Sequence, residues 1–301
     1  MFDGTRFLQI WGSYKQLSVR YDPKQQAVWY TMKPNGRPCF NPDLLAELKS
    51  FQDRIRESFQ APGTEHPEPV QYTVLASAVP GVFNMGGDLA LFTELIEGQD
   101  YDGLLRYATA CIDVLYPNAV NFHLPLTTIT LVQGDALGGG FEAAISSNVV
   151  IAERSAKFGL PEILFNLIPG MGAYSFLIRR TSPAVTHRLI TSGETLSAEE
   201  MLELGLIDIV VDDGEGKRAV KEFIQRHRRR FNAHTALNRV KKLVNPVTYE
   251  ELMDITRIWV ETALQLTARD LRMIQHLVRA QNRQEAQEES AAPKALVKIG
   301  V

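Results

Sequence analysis

The chain has 301 residues, enough for one large core or for a domain with an appendage. Hydrophobic residues make up 45% and charged residues 22%, the balance of a globular protein rather than a disordered one. A net charge of −3 gives no reason to expect nucleic acid or an anionic membrane as the main partner, and no apolar run approaches the roughly 18 residues of a bilayer span.

In chain order, the amino terminus MFDGTRFLQIW lacks the basic-then-apolar layout of a signal peptide, so a cytoplasmic protein is expected. FLQIW (7–11) and LSVRYDPKQQAVWYTM (17–32) read as strands, with Asp22-Pro23 starting a turn. NPDLLAELKSFQDRIRESF (41–59) reads as a helix, because Asn41 suits an N-cap, Pro42 the first turn, and Leu44, Leu45, Leu48, Phe51 and Ile55 recur at helical spacing. APGTEHPEP (61–69) is a surface loop and VQYTVLAS (70–77) a strand. VPGVFNMGGD (79–88) is a glycine-bearing loop before the helix LALFTELIEG (89–98). A further helix covers 103–116, and the β-branched run TTITLVQG (127–134) is of the kind found in buried strands.

After Gly138-Gly139-Gly140 comes a short helical piece and then the strand NVVIAE (148–153). LPEILFNLIPGMGAYSFLIRR (160–180) mixes loop and helix. SAEEMLELGLIDIVV (197–211) begins with a capping box, Ser197 with Glu200, passes a glycine stop at Gly205 and runs into a strand. From about 216 the chain reads as helical. Leu252, Ile255, Trp259, Ala263 and Leu266 share one face, and a fresh helix starts near 268 at the capping-box spacing of Thr267 and Asp270. Cys39 and Cys111 belong to no metal-binding or disulfide pattern and read as reduced, structural thiols; no metal and no cofactor is expected. His123 and His187 receive no role. Alternating strands and helices up to about 211, then helices, indicate an α/β domain with mostly parallel strands and a helical carboxyl-terminal appendage.

Gly138-x-Gly140-x-x-Ala143 formally matches a dinucleotide fingerprint, with Glu153 ending the next strand. Two features speak against it: too few residues for a crossover helix follow Gly140, and the preceding strand ends several residues early. A phosphate-binding loop fails because no Lys-Ser or Lys-Thr follows. Two readings stay open: a tight turn needing positive φ, or bare backbone N–H groups at a helix start that hold a developing oxyanion, with VFNMGGD as a second such loop. Glu142 and Glu162 both sit among apolar residues, where a carboxylate is costly unless exposed, paired or functional. Burial would raise their pKa toward the range useful for proton transfer. Lying 20 positions apart with a strand between, they must meet from two loops.

VFNMGGDL, and the block LVQGDALGGGFEAAISSNVVIAERSAKFGLPEILFNLIPGMGA with SAEEMLELGLIDIVV after it, resemble the crotonase (enoyl-CoA hydratase/isomerase) superfamily over about residues 20–280. The resemblance implies an α/β ClpP-like spiral of ββα units over 1–211. It also implies a helical trimerisation region over 212–282; the tail over 283–301, outside the resemblance, has weak periodicity and is expected to be flexible. By match, the oxyanion N–H groups belong to Met85 and Gly139, the acid/base carboxylates are Glu142 and Glu162, and Gly86, Met171, Trp259 and Leu277 contact substrate. Within the superfamily, VFNMGGDLALF, ALGGGFEAA and ITRIWVETALQL look like the diffusible signal factor synthases. That implies dehydration of a 3-hydroxyacyl-[acyl carrier protein] thioester and hydrolysis of the product to a cis-2-unsaturated fatty acid. The implied partners are the acyl carrier protein (or acyl-CoA) thioester, further copies in a trimer or hexamer, and the receiver domain of a sensor kinase. The alternative is a general enoyl-CoA hydratase.

Overall fold

The structure is a computed structural model that describes residues 12–60, 70–276 and 278. The expected strand at 7–11, the loop at 61–69, Leu277 and the tail over 283–301 lie outside the described residues.

Strands β1 (Leu17–Asp22) and β2 (Ala27–Met32) form an antiparallel hairpin. β2 then runs parallel to β3 (Tyr72–Ser77), β3 to β5 (Thr127–Val132), β5 to β7 (Val149–Glu153), and β7 to β10 (Ile209–Val211). β5 is buried along its whole length, as a parallel strand covered on both faces must be. Ile129 and Leu131 meet Val220 and Ile224 of the helix Gly216–Arg228, while Val132 belongs to the larger core on the other face. On that same face the hydroxyl of Thr130 bonds Ser147 Oγ at 2.7 Å, and Asn118 donates to both Ser146 and Ser147, so the buried polar groups are paired.

A second sheet is built from short strands: β4 (Gly81–Asn84), β6 (Gly134–Leu137) and β8 (Lys157–Gly159) in parallel, closed by β9 (Thr195–Ser197) running antiparallel. Each long strand is followed at once by a short one, β3 by β4, β5 by β6, β7 by β8, and the chain then turns into a helix. This repetition is the ββα spiral, and it places the ends of β4 and β6 side by side.

The expected capping boxes are present. Ser197 and Glu200 bond reciprocally at the start of Ala198–Glu203, and Thr267 and Asp270 do so before residues 268–276. Two expectations are corrected. Residues 81–84 and 134–137 are strands, not loop; each has four residues and starts with glycine, so neither shows a readable period, and pairing with each other makes them strands. The second correction concerns the dinucleotide fingerprint. β6 runs to Leu137, directly against Gly138, and a helix of only eight residues, Gly139–Ser146, completes the crossover from β5 to parallel β7. Helix length therefore excludes nothing. What opposes a pyrophosphate there is the carboxylate of Glu162, described next. Glu153 is turned elsewhere: its Oε1 accepts from Gly216 N at 3.1 Å and Gln133 Nε2 at 3.0 Å, anchoring the helix Gly216–Arg228.

Candidate active site

The short strands β4 and β6 end in two glycine loops that touch. After Asn84 the chain turns through Met85 and Gly86, and Gly86 holds φ +90°. A Cβ on Gly86 would lie 2.9 Å from Gly139 N and 3.0 Å from Leu137 O, so a side chain is excluded by space as well as by conformation. Asn84, fully buried, fixes the turn by accepting from Gly86 N at 2.8 Å. Tyr107 braces the other side: its hydroxyl donates to Phe40 O at 2.5 Å and accepts from Asp88 N at 3.0 Å.

These bonds decide which N–H groups are free. Met85 N donates to Pro38 O at 2.7 Å, Gly86 N to Asn84, and Asp88 N to Tyr107. Gly87 N alone in the loop has no acceptor among the described residues, and Gly87 lines the cavity in front of it. The expectation of Met85 as donor is therefore corrected: its N–H is consumed by the Pro38 carbonyl, and Gly87 is the residue that can serve. Nothing in the composition of NMGGD distinguishes the two; the distinction comes from where residues 38–40 pass. In the second loop Gly139 is the first residue of the helix Gly139–Ser146. Its N–H has no intrahelical partner and lies at the positive end of the helix dipole.

Both loops open into a cavity of about 310 Å³. Glu142 and Glu162 line it, together with Met85, Gly86, Met171 and Trp259. Trp259 is buried and stacks edge-on against Phe92 with ring centroids 5.0 Å apart. Most of the remaining wall is apolar, from Leu89, Leu137, Leu164, Phe165 and Leu167 among others. Of the expected site residues, only Leu277 is not placed.

Glu142 is 1% exposed and is the fourth residue of its helix. Its Oε1 accepts from Met171 N and Ala173 N, each at 2.8 Å. Burial pushes its pKa up, and these two bonds only partly oppose the shift. Glu162 comes from the 3-10 turn Pro161–Phe165. Its Oε2 is buried with no hydrogen-bond partner, and its Oε1 sits over Gly138, where a Cβ would be 2.6 Å away. Burial raises its pKa too, and the neighbouring charge of Glu142 raises it further. Two carboxyl groups thus share one largely apolar cavity, one tied to backbone N–H groups and one with an oxygen free to meet a ligand. They can hold a single proton between them and pass protons to and from a bound molecule whose oxygen faces Gly87 and Gly139.

Residues 50–265 match the family model described as enoyl-CoA hydratase/isomerase. The chain is 30% identical over 195 residues to a probable enoyl-CoA hydratase 2, mitochondrial, of Arabidopsis thaliana, covering 64% of this chain and 59% of that one. It is 30% identical over 209 residues to the mitochondrial methylglutaconyl-CoA hydratase of Rattus norvegicus, covering 69% and 61%. The chain thus spans about three fifths of the length of these two relatives. The crystal structure of an enoyl-CoA hydratase from Bacillus halodurans superposes with a TM-score of 0.71 at 21% identity, over 87% of this chain and 100% of that one, a likeness of fold. With a match over most of its length and the ββα spiral around two touching glycine loops, the chain belongs to the enoyl-CoA hydratase/isomerase family.

Proposed function

We propose that the protein adds or removes water across C2–C3 of an acyl thioester. The observation that carries this reading is the pair Glu142 and Glu162, both with raised pKa, in one apolar cavity beside the free N–H groups of Gly87 and Gly139. The thioester oxygen is held by the two N–H groups, which stabilise the enolate more than the ground state. In dehydration Glu162, whose Oε2 has no protein partner, takes the proton from C2 as the C2–C3 double bond forms. Glu142 gives its proton to the 3-hydroxyl, which leaves as water. One proton has then passed into Glu162 and one out of Glu142, and hydration runs the same path backwards. The backbone N–H bonds to Glu142 favour its ionised form over that of Glu162, so the proton rests more readily on Glu162; hydration starts from that state, and dehydration starts from the state with the proton on Glu142 and ends with it on Glu162.

More specifically, the protein is a diffusible signal factor synthase, acting on a 3-hydroxyacyl-[acyl carrier protein] thioester and then hydrolysing the C–S bond. For that step Glu142, left ionised by the dehydration, takes a proton from water as the water oxygen attacks the carbonyl carbon, and the C–S bond breaks as the sulfur takes the proton that Glu162 had removed from C2. The resemblance of VFNMGGDLALF and ALGGGFEAA supports this, as does a mostly apolar cavity that can take an alkyl chain. The assembly expected is a trimer or a pair of trimers. Exposed Leu237, Val240, Leu243 and Val244 on the helix Phe231–Val244 support self-association. A receiver domain is the further partner of this reading. A general enoyl-CoA hydratase is the second reading, favoured by the names of the relatives.

The test is mass spectrometry of products from 3-hydroxyacyl carrier-protein and trans-2-enoyl-CoA substrates. A free cis-2-enoic acid, lost in Glu142→Ala and Glu162→Ala, supports the synthase. Reversible hydration of enoyl-CoA without release of free acid overturns it in favour of the hydratase.

A further inference from the structure

A second cavity, of about 340 Å³, lies at the opposite end of β5 from the glycine loops. It is lined by Asn121, His123 and the segment Leu124–Leu126 on one side, and by Thr235, Asn238, Arg239 and Lys242 on the other. It shares no residue with the catalytic cavity. β5 starts at Thr127 beside it and runs six residues away, about 17–20 Å, before the chain reaches β6 and Gly138.

The four residues of the second side fall at i, i+3, i+4 and i+7 of the helix Phe231–Val244, so they share one face. That face brings two cations to the cavity, and His123 lies on the opposite wall. Among the described residues no carboxylate lines the cavity. Among the described residues neither Arg239 nor Lys242 takes part in a salt bridge. Lys242 donates to Val120 O at 2.5 Å, and burial pushes its pKa down to about 8. The pKa of His123 is lowered by burial and by the charges of Lys242 and Arg56. Thr235 Oγ1 is buried without a partner. An adjoining cavity holds Asp113, which accepts from the Tyr249 hydroxyl at 2.8 Å, along with Lys49 and Arg56.

The backbone that presents His123 is unusual. Asn121, Phe122 and His123 all have left-handed φ, at 55°, 55° and 58°, a conformation unfavourable for residues that carry a Cβ. Asn121 holds the turn by donating to Leu126 O at 2.8 Å and to Asn148 Oδ1. Like charges gathered at one cavity, with an unmatched hydroxyl and no acid among the described residues of its wall, are the inverse image of an anion.

We propose that this cavity binds a phosphomonoester, its phosphoryl group on Arg239, Lys242 and His123 and its organic body against Leu124, Pro125 and Leu126. A phosphoryl group has three terminal oxygens for these donors and for Thr235, where a carboxylate has two. The volume is many times the ~30 Å³ share of one water, so the anionic group does not fill it alone. The site binds its ligand whatever reaction the other cavity performs.

Isothermal titration of the full chain with inorganic phosphate and with phenyl phosphate tests this. The expected result is saturable binding near one per chain, at least tenfold weaker in both Lys242→Gln and Arg239→Gln, restored by Lys242→Arg, and unchanged in Glu142→Gln. Tighter binding of phenyl phosphate than of phosphate assigns the site to an ester, and equal binding assigns it to the free anion. Thermal melts show that the variants fold. If a glutamine variant does not, Asn238→Asp, which sets a negative charge in the same wall, takes its place and must weaken binding. Absence of saturable binding, binding that survives the charge substitutions in folded protein, or loss of binding in Glu142→Gln overturns the proposal.

Discussion

The carboxylate of Glu162 rests on the bare Cα of Gly138, so closely that a Cβ on Gly138 would stand 2.6 Å from Oε1. One glycine therefore serves two ends. It permits the turn from β6 into the helix Gly139–Ser146, at φ 51° and ψ −127°, and it leaves room for the acid that enters from another turn of the spiral. Gly138→Ala is expected to lower kcat at least tenfold by displacing Glu162. The backbone strain is of the order of 1–3 kcal/mol, so the thermal midpoint should fall as well. Steady-state kinetics with a thermal melt checks both; unchanged kcat would show that the position of Glu162 does not matter.

Glu142→Gln and Glu162→Gln keep the shape of each side chain and remove its proton chemistry. Each should lower kcat by about 10²–10⁴, the usual worth of a positioned acid or base. Measured single-turnover rates that stay within threefold of the parent would contradict the roles given to the pair.

The same variants should be more stable than the parent at neutral pH. Both carboxyl groups have folded-state pKa values raised above the unfolded ones, by burial first. The folded chain therefore binds more protons than the unfolded chain through the intervening range. Their contribution is full below the ordinary carboxylate pKa and is lost as pH rises through the raised values. Denaturant titrations from pH 4 to pH 9 should show the gain of each glutamine variant growing with pH.

Tyr107→Phe leaves Phe40 O and Asp88 N without their shared partner on either side of Gly87. An expected loss of about 1–3 kcal/mol in stability follows from the unmatched buried groups. Since Gly87 carries the free N–H of that loop, kcat should fall while KM changes little. A rise in KM alone would place the effect on ground-state binding instead.

Trp259 closes part of the cavity wall against Phe92. Trp259→Leu enlarges the space and should move the acyl-chain optimum upward. About 0.8 kcal/mol per buried methylene corresponds to roughly fourfold in kcat/KM for each added carbon that finds room. A panel of acyl chain lengths checks this, and an unmoved optimum would assign Trp259 to the core only.

The residues themselves are informative where the signal is local. Ser197 with Glu200 and Thr267 with Asp270 cap helices because their side chains reach backbone N–H groups within one turn. The full burial of β5 shows in its run of β-branched residues, interrupted only by Leu131. Glu142 and Glu162 stand out because charge amid apolar residues is costly, and both line one cavity. The short strands β4 and β6 did not stand out, since four residues beginning with glycine carry no period. The left-handed turn at Asn121, Phe122 and His123 contains no glycine to announce it; the bonds that Asn121 donates to Leu126 O and Asn148 Oδ1 impose it from outside.

Sequence alone determined the longer strands and helices, the two capping boxes, the two carboxylates and the family resemblance, because each rests on neighbours along the chain or on a motif written in it. Tertiary structure decided which N–H of NMGGD is free. Pro38 comes from a distant segment to occupy Met85, and Asn84 and Tyr107 occupy Gly86 and Asp88, leaving Gly87. A donor is available only after every competing acceptor has been placed, and that placement is a property of the folded chain.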